Sequence, residues 1–358
     1  MSTPPPSISA RKADHIDLCA EGDVAFRGKT TLLEAVELVH EALPEMALSD
    51  VDLSVDFAGK RLRAPLVIAA MTGGVDRADQ INRDLASVAE ELGIGFAFGS
   101  QRPLLEKGIA AGYRVRDVAP TALVLGNIGV VQARKTETAR LHDMLLASGA
   151  DALCVHLNPA MEVVQPEGDE DFRGGLETIA RLVSELPLPV IAKETGCGLS
   201  RSVGQRLVGV GVRFVDTSGA GGTSWVGVEA RRAKGGQANL GERFWDWGIP
   251  TAASVAQLSG LPLGICATGG LHNGLDVARA LALGATCGGI ARTFLQAQAR
   301  GGREEVLRLA VEVIHEIRIA CLLTGSRTPE DLQRAPILLA PGLQRWVPRG
   351  TPLAARLS

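Results

Sequence analysis

Pro262-Leu-Gly-Ile-Cys-Ala-Thr-Gly-Gly-Leu-His-Asn-Gly-Leu-Asp-Val-Ala-Arg-Ala-Leu-Ala-Leu-Gly-Ala-Thr-Cys-Gly-Gly-Ile290 holds one full repeat of an architecture. An apolar run at 262–267 ends in Thr268-Gly-Gly270. A helix is expected over 273–283: Asn273 can cap it, Leu275, Val277, Ala278, Leu281 and Ala282 share one side, and Gly284 ends it. A second apolar run follows at 286–290. Short runs of Val, Ile and Leu bounded by Gly or Pro read as parallel strands buried on both faces.

The same rhythm extends outward in both directions. Strands are expected at 65–71, 95–99, 121–126, 152–157, 189–194, 213–218, 262–267 and 286–290. Helices fit at 76–92, 103–111, 137–148, 174–186, 200–209, 251–259, 273–283 and 303–323. Eight strand–helix units in succession predict an α/β fold, a closed (β/α)8 TIM barrel, with a doubly wound open sheet as the alternative. Residues 1–50 read as an N-terminal extension, with a disordered Pro-rich start over 1–10 and a helix over 30–42. Residues 51–358 read as a single barrel, with a long Gly-rich loop after strand six at 219–250.

Composition narrows the function. The chain has 358 residues, 46% hydrophobic and 22% charged, which is ample for one large core. A net charge of -3 and an aromatic content of 4% argue against nucleic-acid binding. None of the six cysteines forms a CxxC pair, and Cys154 and Cys266 lie in strand-like runs, as reduced buried thiols do. The start lacks the basic and apolar regions of a signal peptide, and no apolar run reaches the roughly 20 residues of a membrane helix, so the expected location is the cytoplasm.

A barrel carries its active site at the C-terminal ends of its strands. Those ends read Met71-Thr-Gly-Gly74, Gly99-Ser-Gln-Arg102, Gly126-Asn-Ile-Gly129, His156-Leu-Asn158, Lys193-Glu194, Asp216-Thr-Ser-Gly-Ala-Gly-Gly-Thr223, Thr268-Gly-Gly270 and Gly289-Ile-Ala-Arg292. Glycines there let backbone N–H groups approach an anion, and the loops after strands seven and eight are the usual phosphate site. Gly219-Ala-Gly-Gly-Thr-Ser224 follows a barrel strand without opening a helix directly, which sets a dinucleotide-binding reading aside. Lys193, one of seven lysines, ends an apolar strand, where it either pairs with an acid or faces an anionic ligand. The acids and amides from His156 to Asp169 suit Mg2+, or are solvated loop residues. Arg11-Lys-Ala-Asp-His15 by itself reads as solvated surface.

Taken together, these stretches resemble the type 2 isopentenyl-diphosphate isomerase family from about residue 11 to 346. The resemblance rests on Arg11-Lys-x-x-His15, Met71-Thr-Gly-Gly74, Gly99-Ser-Gln-Arg102, Arg114-Val-Arg-Asp-Val-Ala-Pro120, His156-x-Asn158 and Gln165-Pro-Glu-Gly168. It continues with Lys193-Glu-x-Gly-Cys-Gly198, Gly219-Ala-Gly-Gly-Thr-Ser-Trp225 with Glu229, Asp246-Trp-Gly-Ile-Pro-Thr251 and Leu323-Thr-Gly-Ser-Arg327.

The resemblance implies FMN, Mg2+ and a flavin reductant, NADPH or another donor. It implies a small isoprenoid diphosphate as substrate, and a homo-oligomer of four or more chains. Flavin contacts would fall on Ala70, Met71, Thr72, Gly73, Ser100, Asn127, Lys193, Ser218, Thr223, Gly269, Gly270, His272, Ala291 and Arg292. Substrate contacts would fall on Arg11, Lys12, His15, Ser100, Gln101 and Arg102; His156, Asn158 and Glu229 would be catalytic, and Glu162 would hold the metal. The implied reaction shifts a double bond between isopentenyl and dimethylallyl diphosphate, with reduced flavin as the acid and base. A lysine beside the flavin N1–C2=O edge would stabilise its reduced form.

Two positions depart from the family pattern. Met161 stands before Glu162 where the family has Gln, and His272 follows Gly269-Gly-Leu271 where the family has Arg. The first bears on turnover, the second on FMN affinity. Two alternatives therefore stand beside the isomerase: an FMN-dependent oxidoreductase of the same fold, and a flavin- or diphosphate-binding homologue impaired in catalysis. Oxidation of a 2-hydroxy acid would need a His base beside an Arg clamp on a late strand, and strand six ends instead in Ser218-Gly-Ala-Gly-Gly222.

Overall fold

The computed structural model describes residues 17–19, 23–74, 76–165, 168–233 and 235–357. Its strands, in chain order, are β1 (Val36–Leu38), β2 (Val55–Phe57), β3 (Lys60–Leu62), β4 (Leu66–Ile68), β5 (Gly95–Ala97), β6 (Leu123–Gly129), β7 (Ala152–Leu157), β8 (Val190–Glu194), β9 (Phe214–Asp216), β10 (Gly264–Ala267), β11 (Cys287–Ile290) and β12 (Ile337–Leu339). Strands β4 to β11 form a closed barrel, every neighbouring pair parallel. Closure is made by β11 against β4, with Gly288 opposite Leu66 and Ile290 opposite Ile68. The open-sheet alternative is thereby excluded.

Seven of the eight expected strand runs enclose an observed strand, and β6 runs on from its expected end at 126 to Gly129. The helix expected over 273–283 forms at Gly274–Ala282, with Asn273 Oδ1 accepting from the Asp276 N–H at 2.8 Å. The helix expected over 103–111 spans Arg102–Lys107, because Gly108 turns left-handed at φ 66° and returns its N–H to the Leu104 carbonyl.

Three expectations need correction. The helix expected over 30–42 is a single turn, Leu33–Ala35, followed by β1. Leu32 takes a left-handed φ of 57°, and β1 pairs antiparallel with β12, Val36 opposite Leu339. The long loop at 219–250 holds two helices, Trp225–Arg232 and Gly236–Phe244. Their glycines serve close packing: a Cβ on Gly227 would lie 2.6 Å from the Trp245 ring, and one on Gly241 2.5 Å from Ala230. The last barrel helix starts at Arg292, not 303, and continues to Leu323 with a break at Gly301 and Gly302.

The barrel interior is filled from below. Side chains alternate along a strand, so Val67, Ala97, Leu123, Leu125, Ala152, Cys154, Ile191, Cys266 and Cys287 turn inward as one apolar cluster. The β2–β3 hairpin closes the bottom with Phe57 and Leu62, and Phe57 packs edge-on to Phe214 at 5.3 Å. Helices and outer strand faces make the second, larger core. All six cysteines are unpaired. Among the described residues, no helix is long and apolar enough to cross a membrane.

Candidate active site

The inward face of each strand changes character as it rises. On β6 it runs Leu123, Leu125, Asn127; on β7, Ala152, Cys154, His156; on β8, Ile191, Lys193; on β10, Cys266, then Thr268 just beyond it. Period-two alternation lifts a polar group from each of these strands toward the top layer. His156, Lys193, Asp216, Cys266 and Cys287 are successive register partners around that layer.

Above this layer opens a cavity of about 250 Å3. Its walls come from the loop after every barrel strand, including Met71, Ser100, Asn127, Asn158, Thr223 and His272. The N-terminal extension reaches its rim. Phe26 N donates to the Gly222 carbonyl at 3.0 Å, Ser224 N donates to the Val24 carbonyl at 2.7 Å, and Ala25 lines the cavity.

Lys193 and Asp216 form a buried ion pair, Nζ to Oδ2 at 2.8 Å, with side chains 11% and 10% exposed. Burial disfavours the lysine's charge, but the Asp216 carboxylate outweighs it and holds the ammonium above the usual lysine range. Asp216 Oδ1 accepts from the Ser218 N–H at 3.1 Å and from the Thr268 hydroxyl. Ser218 has a φ of 36°, rare for a non-glycine residue. Next to Lys193, burial pushes the Glu194 carboxyl up to about 8, although it accepts from the N–H groups of Cys197 and Gly198. Burial also pushes the Cys154 thiol up to about 12, so it stays protonated.

On the neighbouring strand β7, His156 Nδ1 lies 2.8 Å from Asn127 Oδ1 on β6. Glu162 is fixed through both oxygens: Oε1 accepts from Asn158 Nδ2 at 2.7 Å, and Oε2 from the Asp169 N–H at 3.0 Å. Met161 lines the cavity, its sulfur 3.9 Å from the same Asn158 nitrogen. Among the described residues, no three His, Cys, Asp or Glu side chains cluster closely enough to hold a metal alone.

The structure gathers most of the expected residues. Ala70, Met71, Thr72, Ser100, Arg102, Asn127, His156, Asn158, Glu162, Lys193, Ser218, Thr223, Gly269, Gly270, His272, Ala291 and Arg292 all line the one cavity. Gly73, Gln101 and Glu229 stand behind its wall. Gly73 makes room for Tyr113, whose ring would lie 2.2 Å from an added Cβ. Gln101 is fully buried and accepts from the Asn127 N–H at 2.9 Å. Glu229 is fully buried in an ion pair with Arg232 at 2.7 Å. Arg11, Lys12, His15 and Glu167, like residues 1–10, lie outside the described residues.

Sequence reasoning missed Asp216 and Gln132. Asp216 stands in the sequence only as the start of the strand-six loop, and its place one register step from Lys193 shows only once the strands are paired. Gln132 lines the cavity and donates to Asp169 at 3.1 Å, and nothing in its sequence context marks it.

Comparison with known proteins agrees with this geometry. Residues 159–339 match the FMN-dependent dehydrogenase family. The chain is 44% identical over 339 residues to an isopentenyl-diphosphate delta-isomerase of Methanosarcina barkeri, covering 93% of this chain and 92% of that one. It is 43% identical to that of Thermococcus kodakarensis, covering 94% and 93%, and 43% identical to that of Nostoc sp., covering 94% and 98%. Among solved structures, a mandelate oxidase with a C4a-OH-FMN adduct superposes with a TM-score of 0.64 at 19% identity, covering 91% of this chain and 95% of that one. A mandelate oxidase with (S)-2-phenylpropionate gives 0.63 at 19%, covering 91% and 94%. The structural likeness supports the barrel alone; the identity across nearly the whole length carries the family, and the chain belongs to the type 2 isopentenyl-diphosphate delta-isomerases.

Proposed function

We propose that this cavity interconverts isopentenyl diphosphate and dimethylallyl diphosphate, using FMN and Mg2+. One observation carries the reading: a single cavity is lined both by Thr72, Lys193, Gly269, Gly270 and His272, a first station, and by His156, Asn158 and Glu162, a second.

The first station fits FMN. Gly269 and Gly270 are left-handed, at φ 101° and 81°, and among the described residues their N–H groups make no hydrogen bond. They follow strand β10, and the helix starting at Arg292 opens beside them after β11. Free N–H groups and a helix N-terminus form an anion site suited to the FMN phosphate. His272, with Nδ1 3.2 Å from Thr293 Oγ1, stands at this end. Thr72 Oγ1 is buried at the wall without a partner, and Lys193 spends one of its three donors on Asp216. Both suit the polar edge of a flavin ring. Reduced FMN would supply an electron-rich ring able to exchange a proton with the alkene.

At the second station, Ser100 and Arg102 face the diphosphate, joined by Arg11, Lys12 and His15. Glu162 holds Mg2+, a metal that binds through one carboxylate together with substrate phosphates and water. His156 and Asn158, on the same wall as Glu162, would orient the five-carbon chain. A cellular donor such as NADPH reduces the flavin, and the working form is a cytoplasmic homo-oligomer built around a single barrel over 51–358. Gln101 and Glu229 act from behind the wall, by positioning.

The test is an anaerobic assay in D2O with FMN, Mg2+, a flavin reductant and isopentenyl diphosphate. Dimethylallyl diphosphate carrying deuterium is the expected product. No product from protein with bound, reduced FMN sinks the reading.

A further inference from the structure

Asp216 has no part in the readings above beyond its contact with Lys193, yet its surroundings are unusually complete. Oδ2 meets Lys193 Nζ at 2.8 Å. Oδ1 takes the Ser218 N–H and the Thr268 hydroxyl. The Thr268 hydroxyl is fixed in turn by the Ser218 N–H at 3.1 Å. Three consecutive strand ends, β8, β9 and β10, thus converge on one carboxylate. Such a carboxylate has one orientation, and it presents one oxygen to the lysine.

We propose that Asp216 is the positioning residue that keeps Lys193 an ammonium at the cavity wall, so that the pair fixes the positive charge met by the bound ring. The second half rests on the FMN reading above; the first half does not. An ammonium taken from water into a protein interior without a counter-charge discharges. Lys193 is 9% exposed, so without Asp216 its proton would be held weakly. Asp216 is therefore what makes a charged lysine compatible with this wall, and a fixed charge needs no rearrangement when the ring gains electron density.

The groups facing Lys193 bear on its titration. Cys154 on β7 and Cys266 on β10 are buried thiols held protonated, so they stay neutral from pH 6 to 9. His156 is its register partner on β7, and Glu194 is its chain neighbour. Burial raises the Glu194 carboxyl and Lys193 lowers it, so a change at Lys193 reaches Glu194 too, and Lys193→Met alone is the control for that contribution.

Two measurements on the full-length chain test the pair. The first is urea unfolding of wild type, Asp216→Asn, Lys193→Met and the double variant from pH 6 to 9, without added FMN. In Asp216→Asn the folded lysine binds its proton more weakly than the unfolded one, so stability relative to wild type rises with pH. That rise disappears in the double variant. A difference that stays flat with pH overturns the proposal. Should Asp216→Asn not fold, recovery by adding Lys193→Met supports the pair, and failure of both variants overturns it.

The second is the flavin midpoint potential of FMN-loaded wild type and Asp216→Asn over the same pH range. In the variant, reduction draws one further proton onto Lys193. The slope then steepens by one proton per two electrons, about 30 mV per pH unit. An unchanged slope overturns the assignment toward the ring. Wild type that binds no FMN removes the flavin reading and with it the second half, while the unfolding result stands or falls separately.

Discussion

Asn127 Oδ1 and His156 Nδ1 lie 2.8 Å apart, and the other end of the same amide donates from Nδ2 to the Phe98 carbonyl at 3.0 Å. A carbonyl only accepts, so the amide nitrogen must face Phe98 and the oxygen must face His156. His156 therefore carries its proton on Nδ1, and any proton it gains or loses sits on Nε2. Asn127 is held in turn by Gln101, whose Oε1 accepts its N–H. Asn127→Ala frees the ring to take either tautomer. We expect kcat/KM for isopentenyl diphosphate to fall about 100-fold, with a mixed-tautomer 15N signal from His156. An unchanged rate with a single Nδ1–H tautomer would remove Asn127 from this role.

Gly222 and Gly270 are pressed together. A Cβ on Gly222 would sit 2.4 Å from Gly270 N and 2.5 Å from its Cα, both backbone atoms that cannot swing away. Gly222→Ala must displace the Gly269-Gly270 turn and with it the N–H groups that suit a phosphate. We expect a stability loss of about 1–3 kcal/mol and weaker FMN binding. Chemical denaturation and flavin fluorescence titration read the two effects separately. FMN affinity equal to wild type would show that the phosphate lies elsewhere.

Glu194 gives a pH dependence of definite sign. Its folded carboxyl is raised from the ordinary glutamate range to about 8 by burial. Between those values the unfolded chain releases the proton while the folded chain keeps it, so stability falls as pH rises through that window. Glu194→Gln can still accept the Cys197 and Gly198 N–H groups but has nothing to ionise. The variant should gain on wild type in urea midpoint from pH 5 to pH 9. Parallel curves would mean that the loop's N–H groups stabilise the carboxylate enough to offset its burial.

The barrel was legible in the sequence because its signals are local. Asn273 and Gly284 bracket a helix with one apolar side, and the strand ends concentrate polar residues where a barrel requires them. The cavity was legible for the same reason: alternation from Leu123 and Leu125 forces Asn127 inward and upward. What failed was non-local. Nothing near Val36 reveals that its partner is Leu339, and nothing near Gly227 reveals that a Trp245 ring occupies the space of its missing side chain. Asp216 belongs to the same class. A lone Asp at a strand end reads as a loop acid until Lys193, Ser218 and Thr268 are seen to meet on it.

Met161 offers the sharpest test of how this member of the family differs. It stands on the cavity wall in the short helix Pro159–Glu162, one residue before Glu162 and beside the Asn158 amide. A thioether is a weak acceptor and no donor, so at this place it can fill volume but cannot relay or orient a proton. A glutamine has nearly the same length and adds a donor and an acceptor. Asn158 Nδ2 carries two hydrogens: one goes to Glu162 at 2.7 Å, and the other points to the Met161 sulfur, where a glutamine oxygen would accept it. The NH2 group of Met161→Gln is then left to face the substrate. A missing proton-transfer group typically costs about 10²–10⁴ in rate. Even partial recovery should raise isomerase kcat at least severalfold under anaerobic conditions, with little change in FMN affinity. A rate equal to or below wild type would mean that the wall is built around methionine, and that the proton-handling group lies among His156, Asn158 and the ring.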